Sequence, residues 1–337
     1  MNLQNYIQCL LPEIESELRR VIEQAIPAQY TQLKGMLHYH MGWEGEGAGP
    51  EAQGKRIRPL LVLLCAMAAG GDWRGALPAA AAVELLHNFS LVHDDIQDQS
   101  PLRRSRPTVW VKWGVAQAIN TGDVLFTLAF LALQDLSSRL PAPHVLEASR
   151  LLQTTCLRLT EGQFLDLSYE GQSALPMDAY WPMIGGKTSA LLGCCAELGA
   201  LTAGADETRR RAFREYGYTL GLAFQVLDDW LGIWGDASRT GKSVESDLVT
   251  GKKTLPVVYG LALGGRFAQR WQQGKIQPEE VAALADLLKE EGAYEHTLQT
   301  AQQLTGRALD WLRQAAQPGD AAQALVELTN MLLTRQS

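Results

Sequence analysis

Strand signals are almost missing from this 337-residue chain. Alternating β-branched runs bounded by turns are scarce. A basic excess is missing too: 30 Lys and Arg stand against 37 Asp and Glu, a formal charge of −7. That argues against a general nucleic-acid binder, which needs a basic face. An anionic small molecule stays open, provided local cations or metals hold it. Cysteine is sparse and unpatterned. Cys9, Cys65, Cys156, Cys194 and Cys195 are odd in number, lie mostly in apolar surroundings and show no metal-ligand spacing. They read as reduced, buried thiols of a cytoplasmic protein. The stretch "MNLQNYIQCLLPEIESELRR" lacks a basic region followed by a long apolar one, so no signal peptide is expected. The longest apolar runs, "PLLVLLCAMAAGG" and "VLFTLAFLAL", are expected to be too short to span a bilayer and to form buried core helices. No repeat, low-complexity tract or interdomain linker stands out.

What the chain does have is helical pattern and ample core material. Hydrophobic residues make up 46% and charged ones 20%, an ordinary globular balance. Ala, Leu, Glu and Gln are abundant, and apolar residues recur at three and four. The pattern predicts one or two amphipathic helices over 3–35, a Gly-rich loop over 41–54 and an apolar helix starting near Pro59, since proline is favoured in a first turn. A long helix is expected from Pro78 to Asp98. Others follow at about 113–138, 143–170, 178–203, 206–233, 254–265, 278–292 and 294–335. The fold class is therefore all-α, and residues 1–337 read as a single domain with the most hydrophobic helices in the middle.

Charge is concentrated in a few places. Leu91 to Arg104 reads "LVHDDIQDQSPLRR". Asp94 and Asp98 are one turn apart on a helix, and Leu91 and His87 continue the same face. Like charges at that spacing repel, so a compensating cation is required. It is either Mg²⁺, which prefers carboxylate oxygens and keeps sites open for phosphate oxygens, or Arg103 and Arg104 folding back. A second pair, Asp228 and Asp229, ends another apolar helix in "FQVLDDWLGIWGD". Semi-buried carboxylates need partners, and two such pairs suggest a shared metal cluster. Basic segments accompany them: "GKRIRP" with Lys55, Arg56 and Arg58; "GGKTSALL" with Lys187 and Thr188; "GKSVESDLVTGKKTLP" with Lys242, Lys252 and Lys253. Phosphates favour Lys point charges and Arg forks, and helical bundles build sites from inward-facing residues of several helices.

Together with "GDVLF" and "EGQFLDL", these segments occur in an order and spacing that resembles the trans-isoprenyl diphosphate synthases, the polyprenyl synthetase family. The resemblance runs through nearly the whole chain except the first forty and last seventy residues. It implies an isoprenoid synthase-type helical bundle around a central apolar cavity, a homodimer, and a reaction in which an allylic diphosphate ionises and isopentenyl diphosphate attacks the cation. It implies a three-ion Mg²⁺ cluster held by Asp94, Asp95 and Asp98, with Asp94 and Asp98 as direct ligands, and by Asp228 with Asp229 in support. It assigns Arg103, Lys187, Lys242 and Lys252 to the allylic diphosphate, and Lys55, Arg58, His87 and Arg104 to isopentenyl diphosphate. Thr188, Gln225 and Gln163 are implied to face the developing cation, and Asp166 and Asp247 to support the metals or lysines. Arg103 and Arg104 then read as grips for two diphosphates, not mainly as partners for the aspartates.

Two departures stand out. Gly232 sits where the second motif often has a third aspartate, which predicts a weakened or rearranged metal site, with Asp236 in reach through water. Ser105 replaces a more usual glycine. For product length, Ser90 lies almost beneath Asp94 on an ideal wheel and Phe89 well round it. A small residue there and an aromatic at the fifth position resemble geranylgeranyl diphosphate synthases; farnesyl and farnesylgeranyl products stay open. So do a terpene cyclase on the same fold, which does not need the isopentenyl diphosphate residues, and a noncatalytic regulatory subunit, which is expected to lose aspartates.

Overall fold

The computed structural model describes residues 1–235 and 247–333; Lys242 and Asp236 of the expected site lie outside the described residues. The described chain is almost entirely helical, as its composition predicts. The only strands among the described residues are β1 (Leu102–Arg103) and β2 (Arg106–Pro107), a small antiparallel hairpin. Two compact units form, each drawn from three separate segments. The first takes Met1–Gln153, Cys195–Arg210 and Ala316–Leu325; the second takes Thr154–Cys194, Arg211–Ala315 and Val326–Ser337.

In the first unit α1 (Leu3–Ala25) starts at Asn2, whose side chain accepts from the Asn5 amide, and buries the stripe Leu10, Ile14, Leu18, Val21 and Ile22. α2 (Thr31–His40), the short α3 (Pro50–Gln53) and α4 (Ile57–Ala68) follow. α5 (Leu77–Gln97) is the core helix. Its run Ala79–Ala82 is fully buried, and such small side chains let neighbouring backbones approach closely. It packs chiefly on α7 (Val115–Gln134), then on α4 and α1. α6 (Val109–Trp113) links the hairpin to α7.

α8 (Ala142–Glu170) is followed by α9 (Met177–Ile184), α10 (Ala190–Thr202) and α11 (Glu207–Trp234). Next come α12 (Asp247–Thr250), α13 (Leu255–Leu263), α14 (Arg266–Trp271), α15 (Val281–Glu290), α16 (Ala293–Ala315) and α17 (Asp320–Leu333). One core of the second unit joins Tyr180, Met183 and Ile184 of α9 to Ala223 and Val226 of α11, Leu255 of α13, and Ala301 and Leu304 of α16.

Four sequence expectations change. The helix expected over 294–335 is two, because Pro318 cannot continue it and Gly319 takes φ +159°. The helix expected over 178–203 is interrupted by a π turn at Gly185–Ser189. Residues 266–271, to which the pattern assigns nothing, form α14. And while the run over 59–71 falls in the short α4 as expected, the run over 124–133 lies in a longer apolar stretch; two stretches, Trp73–Gln97 and Val115–Ser138, are by length and composition apolar enough to cross a membrane. In the first, 72% of the apolar window is buried within the protein, as in a core helix; in the second the share is 39%.

Candidate active site

The residues singled out from the sequence fall into two groups, one in each unit. In the first unit the α5 face carries His87, Asp94 and Asp98, as the helical wheel predicts. α5 ends there: Asp98 is its C-cap, exposed, and its amide donates to the Asp94 carbonyl at 2.8 Å. Asp95 points the other way and is 2% exposed. The β1–β2 hairpin turns the chain back so that Arg103 meets it: Nε lies 2.9 Å from both carboxylate oxygens and Nη2 2.8 Å from Oδ1. Burial raises the Asp95 carboxyl while this pair pulls it back. So Arg103, expected mainly as a diphosphate grip, is here a fork on Asp95, because the hairpin brings its guanidinium to the one buried carboxylate of the motif.

The hairpin turn is strained. Arg104 and Ser105 both take left-handed backbone, φ +52° and +61°, which costs non-glycine residues. The strain positions Arg104, whose Nη1 donates to the carbonyls of Ala52 and Gln53, each at 2.7 Å. Burial and the nearby Arg56 lower its guanidinium to about 10. Arg58 Nη1 sits 3.1 Å from His87 Nε2. Burial and Arg58 push His87 well below the usual histidine range, so its ring is neutral and Nε2 accepts. Lys55 is exposed. Several cations are thus held near one another at an energetic cost that an anionic ligand offsets.

Beneath them lies a buried network that sequence reasoning missed. Arg56, also left-handed at φ +47°, is 4% exposed. It donates to Glu15 Oε1 at 2.6 Å, Glu84 Oε1 at 2.8 Å and the Met41 carbonyl at 3.1 Å. Asn88 Nδ2 donates to the Glu84 carboxylate at 3.0 Å. His40 lies alongside, half-buried with its Nε2 shut from solvent; desolvation, then Arg103 and Arg104, lower it to about 3, so it stays neutral. Lys55 and Arg58 flank Arg56 in sequence, so this anchor sets where they start. Only the contiguity of Lys55, Arg56 and Arg58 hinted at it.

On α5, Phe89 turns toward α7. Its ring lies 4.8 Å from His93 and 5.0 Å from Phe126, which lies 5.0 Å from Phe130. Ser90 is 8% exposed, its hydroxyl donating to the His87 carbonyl at 2.8 Å. The position beneath Asp94 is therefore small, and the aromatic bulk is displaced to the side.

In the second unit the π turn places Lys187 and Thr188, a common use of such bulges. Close approach to α8 makes it possible: a Cβ on Gly186 would fall 2.5 Å from the Arg158 carbonyl and 2.9 Å from Gly162 Cα. Lys187 pairs with Asp166. Thr188 donates to Gln225 Oε1 at 2.7 Å, and Gln225 Nε2 donates to Asp229 Oδ1 at 2.9 Å. Asp229 Oδ2 accepts from Tyr180 Oη at 2.7 Å and from the Leu255 amide at 2.9 Å. Burial raises Asp229 to about 7 against these bonds. With both oxygens so engaged, Asp229 orients the helix ends around it, and Asp228, half-buried, is the more open of the two. Gln163 is buried nearby on α8. A cavity of about 220 Å³ collects Asp166, Lys187, Thr188, Gln225, Asp228, Asp229, Asp247 and Lys252.

Among the described residues no three His, Cys, Asp or Glu side chains converge into a cage for a metal ion. The donor set still suits Mg²⁺, which binds through one or two carboxylates plus water and substrate phosphates; Asp94 and Asp98, one turn apart, and Asp228 offer such oxygens.

Comparison with known proteins bears on the fold and the family. The polyprenyl synthetase family model matches residues 49–289. The chain is 45% identical over 256 residues to geranylgeranyl diphosphate synthase of Mycobacterium tuberculosis, covering 75% of this chain and 72% of that one. It is 38% identical over 334 residues to (2E,6E)-farnesyl diphosphate synthase of the same species, covering 96% and 91%. Among solved structures, polyprenyl synthetase from Streptomyces coelicolor A3(2) superposes with a TM-score of 0.86 at 36% identity, covering 97% and 99%. A matching family model, relatives of such identity along most of the chain and the all-α fold lead to one conclusion: the chain belongs to the polyprenyl synthetase family.

Proposed function

We propose that the protein is a short-chain trans-prenyltransferase that joins isopentenyl diphosphate to an allylic diphosphate and releases geranylgeranyl diphosphate. The whole chain, 1–337, acts as one catalytic domain, cytoplasmic and paired as a homodimer. The exposed apolar residues Val115, Ile119 and Leu131 along α7 support the pairing.

Asp94, Asp98 and Asp228 hold Mg²⁺, which when bound neutralises the charge of the leaving diphosphate. Arg103, Lys187 and Lys252 grip the allylic diphosphate; Lys242 joins them by resemblance. Arg58, Arg104, Lys55 and neutral His87 grip isopentenyl diphosphate. The hydrogen of Thr188 is committed to Gln225, so the lone pairs of its oxygen are free to face positive charge developing in the allylic group. Asp229 fixes Gln225 and hence Thr188. Asp166 holds Lys187 in place until an anion competes for it. Apolar helix walls keep water from the cation.

The product reading rests on one observation: small, buried Ser90 lies one turn before Asp94 while Phe89 packs to the side, tilted against Phe126. A chain growing along that face meets a hydroxymethyl, not a ring. The test is to incubate the purified protein with Mg²⁺, isopentenyl diphosphate and dimethylallyl diphosphate and resolve products by chain length. A dominant twenty-carbon product is expected. A fifteen-carbon product that is not extended further sinks the product assignment and favours the farnesyl reading.

A further inference from the structure

Of the two adjacent lysines in "GKKTLP", only Lys252 has a place in the site above. Lys253 is the more deeply buried, 3% exposed. A buried ammonium is costly unless it is paired. Among the described residues no carboxylate lies within ion-pairing distance of it. Its Nζ donates to the carbonyls of Glu170 at 3.3 Å and Gly251 at 3.2 Å, and lies 5.2 Å from the centre of the Trp271 ring. An ammonium carries three N–H groups, so one has no acceptor among the described residues.

These contacts fix where the side chain leads. Glu170, Gly251 and Trp271 line a second cavity of about 340 Å³ within the second unit, and none of them lines the cavity of Asp228 and Lys252. Lys253 borders both. Its stem passes the first cavity and its charged end opens on the second. The turn after α14 adds the exposed Lys275, and the chain after α8 adds Gln172 and Ser173. Glu170 is the sole acidic residue among the described lining; it is exposed and gives Lys253 its carbonyl. Gly171, Gly251 and Gly274 each have open space where a Cβ would stand. Two lysines and two neutral hydrogen-bonding side chains around open space suit a compact oxyanion, since lysine offers phosphate a point charge.

We propose that this second cavity is a binding site for a phosphate-sized oxyanion, held by Lys253 and Lys275. The occupant gives the buried ammonium its counter-charge, and so stabilises the folded chain and steadies the stretch that carries Lys252. Neither the site nor its test depends on elongation.

Inorganic phosphate is titrated into the full chain by calorimetry in chelator, where the carboxylates of the first cavity have no metal through which to take an anion. One saturable site is expected. Lys253→Met and Lys275→Glu are each expected to weaken it about tenfold to a hundredfold, the loss of one charge-assisted hydrogen bond. Lys187→Met, in the first cavity, is expected to leave phosphate binding unchanged. Lys275 is exposed, so its variant folds whatever the fate of Lys253→Met. Melting gives a second readout: phosphate should raise the melting temperature of the parent and raise that of Lys275→Glu less at the same concentration. A second titration with glycerol 3-phosphate separates two sources of the oxyanion. Equal affinity identifies the phosphoryl end of a larger molecule, and much weaker binding identifies the free ion. Absence of saturable phosphate binding by the parent, binding that survives Lys253→Met or Lys275→Glu, or binding that Lys187→Met removes overturns the proposal.

Discussion

Arg56→Met breaks the buried network under Lys55 and Arg58. Arg56 is 4% exposed and Glu84 2%; Arg56 also holds Glu15 at 2.6 Å. Removing one partner of a buried ion pair leaves an uncompensated charge and costs about 3–5 kcal/mol. Asn88 still donates to Glu84, which favours the lower half of that range. Unfolding entropy of about 2.1 cal/mol/K per residue over 337 residues gives ~0.7 kcal/mol/K, so the melting temperature should fall by about 4–6 °C. Arg56→Met with Glu84→Gln removes the stranded charge and should recover about half of the loss. The anchor also sets the start of α4, so KM for isopentenyl diphosphate should rise more than KM for the allylic partner. Circular dichroism melting and steady-state kinetics read both effects. A single variant that melts within ~1 °C of the parent, or a double variant no better than the single, refutes the reasoning.

Three further outcomes are expected. Burial holds Asp229 at about 7 in the folded chain, above its ordinary value of about 4, so its protonated form stabilises the metal-free protein below pH ~4 and that contribution, about 4 kcal/mol, is lost as pH rises through 7. Melting in chelator should show the decline between about pH 4 and 7, and Asp229→Asn should flatten it; an equally steep variant contradicts the assignment. Ser105→Gly relieves the left-handed strain at φ +61° and should stabilise by about 1 kcal/mol, less than the full strain because glycine also loosens the unfolded chain; chemical denaturation with an unchanged midpoint argues against strain there. Ser90→Phe should shorten the product, and an unaltered product distribution shows that Ser90 does not border the growing chain.

The α5 face was legible in the sequence because His87, Asp94 and Asp98 obey the helical period, and local periodicity is what a helix imposes. Much of the candidate site was legible for a different reason: Asp228, Lys187 and Lys252 lie in segments whose order matches a family. What stayed hidden depends on partners distant in sequence. Arg56 meets Glu84 and Glu15, 28 and 41 residues away, and nothing near "GKRIRP" names them. Phe89 finds Phe126 only because α5 packs on α7. The pairing of Arg103 with Asp95 depends on a hairpin too short for a strand pattern to register. Gly232 was noticed as a missing aspartate, but the carboxylate beside it, that of Asp247, comes from another helix. The break at Pro318 and Gly319, by contrast, was visible in the residues, and the apolar period on either side masked it.

The central claim is chain elongation past fifteen carbons, carried by two sets of cations and carboxylates in one chain. The most direct measurement supplies farnesyl diphosphate as the sole starter, with isopentenyl diphosphate and Mg²⁺, and follows the twenty-carbon product. The protein should extend farnesyl diphosphate by one unit and then stop, and Asp94→Asn should abolish the reaction. Absence of extension from farnesyl diphosphate, or extension that Asp94→Asn leaves intact, contradicts the account.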